Sequence, residues 1–204
     1  MKVETKQDNL AAVLRSIAEL VKTDVLVGIP ADADQRDDGS PLNNAQLAYL
    51  HTYGGTIAVP EHETTLYRQV GQDGEFANGG RFVKRKRANF ASTHIVPAHI
   101  VTLPPRPFLE PGIKKGQQEI VAQQRKAAEA AINRKPDEML KAINAAGLVA
   151  QNHVRDIFDT SEGLEPLKPS TLASRRARGR TGERPLVDKG ELRNANTYVV
   201  RKKA

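Results

Sequence analysis

The chain has 204 residues, a net charge of +7, a pI near 9.7, 39% hydrophobic and 4% aromatic residues, and neither Cys nor Trp. Without Cys there can be no disulfide, thiolate metal site or cysteine nucleophile, and the surplus of cations favours nucleic acid or an acidic protein surface without choosing between them. Met1–Lys6 has no apolar stretch of the kind a signal peptide needs, and the longest strongly apolar run, Val25–Ile29, is too short to cross a bilayer, so a soluble chain with no membrane partner is expected.

In chain order, Leu10, Val13, Leu14, Ile17, Leu20 and Val21 recur at helical spacing after Asp8 or Asn9, either of which can cap a helix. The β-branched run Val25–Ile29 predicts a buried strand stopped by Pro30, and residues 31–42 read as an acidic loop. Asn43 or Asn44 caps a short helix ended by Gly54 and Gly55, and a short strand over Thr56–Val59 follows. Over 64–90 the spacing predicts a β-hairpin arm, with Thr64–Val70 as one side, glycine turns at Gly71, Gly74, Gly79 and Gly80, and Arg81–Lys84 as the return. A second β-rich run spans Thr93–Leu103, broken by Pro97. The rest reads as a helix from Glu110 to about Arg134, a longer one opened by Pro136 and ended by Gly163 and Pro166, and a short one capped by Ser170. A short element over Leu186–Leu192 and a strand over Asn196–Arg201 close the chain.

No pattern of catalytic residues emerges. The acidic loop misplaces the ligands of an EF-hand, because counting from Asp32 puts Arg36 fifth and Asn43 twelfth. No two of His51, His62, His94, His99 and His153 have the spacing that aligns two imidazoles on a helix, and Glu61-His62-Glu63 is an ordinary loop composition. There is no nucleophile elbow and no phosphate loop, so neither an enzyme nor a cofactor or metal is expected. Two basic runs remain as candidate interfaces: Arg81 with Lys84, Arg85, Lys86 and Arg87, and Arg175, Arg176, Arg178 and Arg180. Either can face a neighbouring subunit or neutralise phosphates. The second run lies among few apolar residues and is expected to order against a neighbour, with Asp32, Asp34, Asp37 and Asp38 as conceivable partners.

Three phrases, taken together and in order, carry a resemblance. Residues 43–55 (NNAQLAYLHTYGG) resemble an N-A-x-L-A-x-x-H-E-x-G segment, 104–113 (PPRPFLEPGI) a P-x-R-P-F-L-x-P segment, and 166–172 with 185–194 a P-L-x-x-x-T…P-L-x-D-T-G-x-L ending. All three are similar to segments of the phage virion-morphogenesis family, the tail-completion (neck) proteins of long-tailed bacteriophages. Thr52 and Lys189 depart from the commoner Glu and Thr, and 67–89 resembles an insertion found in some members.

The resemblance implies a structural protein of the virion neck, assembled in the host cytoplasm. It implies an oligomeric ring, a hexamer above all, between connector and tail-tube proteins, with non-specific contact to genomic DNA in the channel. Asn43, Asn44, Gly54, Gly55, Arg106, Pro107, Phe108 and Leu109 are its matching positions. Alternatives are a tail terminator, a minor tail or morphogenesis protein, or, from another class, a basic DNA-binding protein. The fold class expected is α+β, a small mainly antiparallel sheet flanked by helices. It would form one domain over 1–204, with a protruding hairpin at 64–90 and a C-terminal interaction segment at 164–204.

Overall fold

A computed structural model of the chain describes residues 9–31 and 43–203. Asp8 and the acidic loop with Asp32, Asp34, Asp37 and Asp38 lie outside the described residues. In order the elements are α1 (Leu10–Val21), β1 (Thr23–Gly28), α2 (Asn44–Tyr53), β2 (Gly55–Val59), β3 (His62–Arg68), β4 (Phe90–Val96), β5 (His99–Leu103), α3 (Leu109–Lys115), α4 (Gln117–Ile132), α5 (Pro136–Thr160), α6 (Pro169–Ala177), α7 (Glu191–Ala195) and β6 (Thr197–Lys202). The class is α+β, as expected. In place of one small sheet, however, the strands form three separate antiparallel pairs. The chain divides into two compact units: residues up to 54 together with those from 104 onward, and residues 55–103.

The first unit is organised on α5. Pro136 stands in the first turn, where a missing N–H costs nothing, and Asp137 and Glu138 place negative charge at the helix N-terminus. Met139, Ile143, Ala146, Ala150, Val154 and Ile157 recur at helical spacing and are buried. Toward the start of α5, Met139, Ala142 and Ile143 meet Ala127, Ala130 and Ala131 of α4, with Leu20, Val25 and Val200 packed around them. Alanine on the α4 side lets the two helices approach closely, and a core poor in aromatics is built this way. Strand β6 returns to pair with β1 from Thr23↔Lys202 to Gly28↔Thr197, which ties the chain's end to its beginning.

Two glycines set close approaches. A Cβ on Gly112 of α3 would sit 2.6 Å from the Val154 Cα in α5, and one on Gly147 would sit 2.3 Å from the Tyr198 ring. Any side chain at Gly112 would meet backbone, which cannot swing aside.

Several expectations need correction. The helix foreseen from Glu110 to Arg134 is broken at Gly116, where a Cβ would lie 2.3 Å from the His153 ring of α5. Helix α6 starts at Pro169 with Lys168 as its N-cap, so Ser170 lies inside it, because the ring of Pro169 fits the first turn. The long helix α5 ends at Thr160 on the left-handed residue Ser161, before Gly163 is reached.

In the second unit β2 pairs with β5 and β3 with β4, and the register continues unchanged from one pair to the other. Both strands are interrupted at the same level, at Pro60–Glu61 and at Pro97–Ala98. Proline has no N–H for a ladder, so each interruption falls where the sequence places one. Beside each break a histidine folds back: the Nδ1 of His62 donates to the Pro60 carbonyl and that of His99 to the Pro97 carbonyl, both at 3.0 Å.

The hairpin expected over 64–90 is not formed as foreseen. Thr64 pairs with His94, and Arg81–Lys84 is not a strand. The return strand is Phe90–Val96, whose β-branched and aromatic residues suit a ladder better than a run of cations. Residues 69–89 connect the strands and are held by Asn89, whose side chain accepts from the Val70 N–H (2.7 Å) and donates to the Val70 carbonyl (2.8 Å).

Candidate functional site

Each phrase that carries the resemblance builds a local structure, and in the first unit the three meet. At the start of α2 the Asn43 side chain accepts from the Gln46 N–H (2.8 Å), and the Gln46 side chain accepts from the Asn43 N–H (3.0 Å). This is a reciprocal capping box. Asn44, the other capping candidate, is buried as the first residue of the helix. The helix ends at Gly54, whose φ of 69° favours glycine and whose N–H reaches the Leu50 carbonyl. Gly55 already belongs to β2.

The second phrase runs as an extended strap from Pro104 to α3. Pro105 and Pro107 fix φ on either side of Arg106, so the Arg106 side chain leaves a rigid backbone. Its N–H donates to the His51 carbonyl at the end of α2 (2.6 Å). Its Nε donates to the Glu165 carbonyl (2.6 Å) and its Nη2 to the Pro166 carbonyl (2.9 Å). Arg106 is 5% exposed. Burial draws its guanidinium below the ordinary arginine value, and the charge of Glu165 opposes that shift. Two residues on, Phe108 is fully buried against Phe158 of α5, with ring centroids 4.6 Å apart.

The third phrase closes the cluster. Leu192 of α7 and Leu164 are buried with Ala48, Phe108, Val154, Ile157 and Phe158, and Leu47, Leu109, Leu186 and Val187 pack around them. Ala48 and Leu47 belong to the first phrase, Phe108 and Leu109 to the second, and Leu186, Val187 and Leu192 to the third. Segments more than a hundred residues apart in the chain thus form one hub.

On the rim of the hub, Asp159 of α5 receives both Nε (3.0 Å) and Nη2 (2.6 Å) of Arg193, while Arg184 approaches at 3.4 Å. The hydrogen bonds from Arg193 hold the Asp159 carboxyl below its ordinary value, with the charges of Arg193 and Arg184 acting the same way and partial burial opposing them. A carboxyl lowered in the folded state lends stability above the ordinary carboxylate range, and that stability is lost as pH falls through the lowered value. Asp159→Asn should therefore unfold at a lower denaturant concentration near neutral pH. With the pair partly exposed, the loss is at most about 1 kcal/mol. The gap from the parent should close in acid, and denaturant titrations across pH that showed a constant gap would refute this role.

The two basic runs fall in different units. In the first unit, Arg175 donates to the Gly182 (2.9 Å) and Arg184 (3.0 Å) carbonyls, Arg176 pairs with Glu183 at 2.7 Å and Arg180 with Asp188. Arg178 is exposed. Acceptors within ten residues thus engage three of these four arginines inside their own chain. In the second unit, Arg81, Lys84, Arg85, Lys86 and Arg87 are all exposed.

Among the described residues no three His, Asp or Glu side chains are placed to hold a metal ion, and no helix is long and apolar enough to cross a membrane. His62 and Glu63 are consecutive in β3 and so point to opposite faces. The chain matches no known family model, curated protein or solved structure.

Sequence reasoning missed Asp159, Arg184 and Arg193. The signal was a run of cations around Pro185 with few carboxylates among them, which required acceptors from elsewhere.

Proposed function

We propose that the protein is a structural component of the neck of a long-tailed phage, one that completes the tail and joins it to the head as a closed ring of identical chains. The observation that carries this reading is the hub. The phrases resembling the virion-morphogenesis family are far apart in sequence, yet they supply one capping box, one arginine clamp and one apolar cluster. A set of motifs that makes a single structural module is what a scaffold family would retain. The groups found there are helix caps, carbonyls, an arginine fork and apolar side chains, which suit shape and contact.

The test has two arms. In solution the protein should behave as a closed multimer of the 22.3 kDa chain by light scattering. Disrupting its gene in the parent phage should leave filled heads and finished tails that do not join, and supplying the protein from a plasmid should restore particles. A monomer at all concentrations, together with normal particles from the disrupted phage, would overturn the proposal.

A further inference from the structure

We infer that Arg81–Arg87 in the second unit is a binding site for the phosphate backbone of duplex nucleic acid. The inference uses residues of that unit alone and holds whether or not the chain is a neck protein.

The segment concentrates charge without compensating it. Residues 69–89 contain five cations against two carboxylates, Asp73 and Glu75. Asp73 is turned to its own loop, where it accepts from the Glu75 N–H at 3.2 Å. Elsewhere several exposed cations have carboxylates: Lys115 with Asp156, Arg176 with Glu183, Lys202 with Glu19. Those without one among the described residues, such as Arg178 and Lys141, do not follow one another in a run of four. Among the described residues no carboxylate pairs with Arg81, Lys84, Arg85, Lys86 or Arg87 within 4.0 Å. An ordinary solvated surface intersperses charges of both signs, and this one does not.

The charges also stand on a built platform. Arg85–Arg87 is a single 3-10 turn, with the Arg87 N–H bonded to the Lys84 carbonyl at 2.8 Å. The Val83 N–H donates to the Tyr67 carbonyl (2.9 Å), which fastens the segment to β3. Behind it the Arg68 guanidinium lies 4.8 Å from the Phe76 ring centre and 4.9 Å from that of Phe82. Phe76 in turn meets Phe90 edge-on at 5.5 Å. A three-residue turn spreads successive side chains around its axis, and a duplex is a dense polyanion, with one charge for about every 1.7 Å of axis when both strands are counted. A preformed cationic turn can meet such a ligand with little further ordering.

The surroundings favour a duplex over other polyanions. Binding to single strands relies on several open aromatic faces in succession. Phe76, Phe82 and Phe90 are all partly exposed, but Arg68 lies against Phe76 and Phe82, and Phe76 meets Phe90 edge-on, so no run of open faces is offered. An acidic protein surface is usually met around a well-packed, desolvated centre, and the rings beside the turn are already engaged with Arg68 and with one another. Phosphates on the outside of a duplex need neither.

The test is fluorescence anisotropy of a labelled mixed-sequence DNA duplex with the full chain, from about 50 to 200 mM salt. Affinity should fall steeply with salt. The variant Lys84→Gln, Arg85→Gln, Lys86→Gln, Arg87→Gln should keep the parent's melting temperature, because all four side chains are exposed. It should bind at least about 100-fold more weakly at low salt and flatten the slope of log affinity against log salt by about 3 to 4. Arg176→Gln with Arg178→Gln, which removes charge from the first unit, should change affinity by less than about 3-fold, the loss expected of non-specific screening alone. The inference is overturned if the quadruple variant binds like the parent, or if the first-unit variant loses as much. It is equally overturned if the parent ignores the duplex while binding a poly-glutamate peptide or a single strand.

Discussion

Phe108→Ala should destabilise the first unit by about 3 to 5 kcal/mol, the usual loss for a fully buried aromatic residue. Phe108 and Phe158 are both wholly inaccessible to solvent and in ring contact. Removing one therefore strips contacts from the other and leaves a cavity between α5 and the strap. The walls cannot collapse into it easily: Pro107 fixes the backbone on one side, and Gly112 already brings α3 against the backbone of α5 on the other. A domain of this kind has about 5 to 15 kcal/mol in total, so the variant stands near the limit of folding. Urea denaturation followed by circular dichroism measures the loss. Phe108→Leu should recover more than half of it, because most of the volume returns. A shift below about 1 kcal/mol for the alanine variant would mean that the hub is not what holds the unit together.

Arg106→Lys should cost about 2 to 4 kcal/mol, although it conserves the charge. The two side-chain bonds of Arg106 run to neighbouring carbonyls, those of Glu165 and Pro166, from Nε and Nη2 of one planar group. An ammonium cannot span both acceptors from the same position. It would leave one carbonyl unpaired and would itself be desolvated with fewer partners, and each lost charge-assisted bond is worth about 1.5 to 3 kcal/mol. The substitution should also release the 164–166 segment, seen as faster amide exchange in the residues that follow Pro166. Lysine matching arginine in both stability and exchange would show that the fork is dispensable.

The locally determined parts of the fold were legible in the sequence. Helices α1, α2 and α5 each have apolar positions at helical spacing or a recognisable start, and the Asn43–Gln46 box and Pro136 act within a single turn. Pairings that depend on distant segments were not legible. Nothing in Val25–Ile29 names Thr197–Lys202 as its partner, and the return strand of the second unit was misplaced because Arg81–Lys84 follows a glycine turn as a strand would. The hub was half legible. The strap between the prolines and the anchoring role of Phe108 follow from residue type. The role of Arg106 does not, because its acceptors are main-chain carbonyls about sixty residues away, and a carbonyl has no signature in a sequence. The Arg-rich end suggested a segment in search of a neighbour. In the structure Leu186, Val187 and Leu192 seat it on the hub, and Glu183, Asp188 and Asp159 occupy its arginines.

The matched interruptions at Pro60–Glu61 and Pro97–Ala98 work as a notch and key for strand alignment. A slip of one residue would turn every side chain to the wrong face. A slip of two would restore the faces but bring each proline against an intact stretch of its partner, so two gaps in the ladder would replace one, each at the expense of hydrogen bonds worth about 1 kcal/mol. Alignment is therefore set midway along the strands, independently of the loop that joins them. Residues 69–89 can consequently gain or lose length without shifting a single partner in either pair, and the cationic turn they carry is free to change in reach while its foundation stays in register.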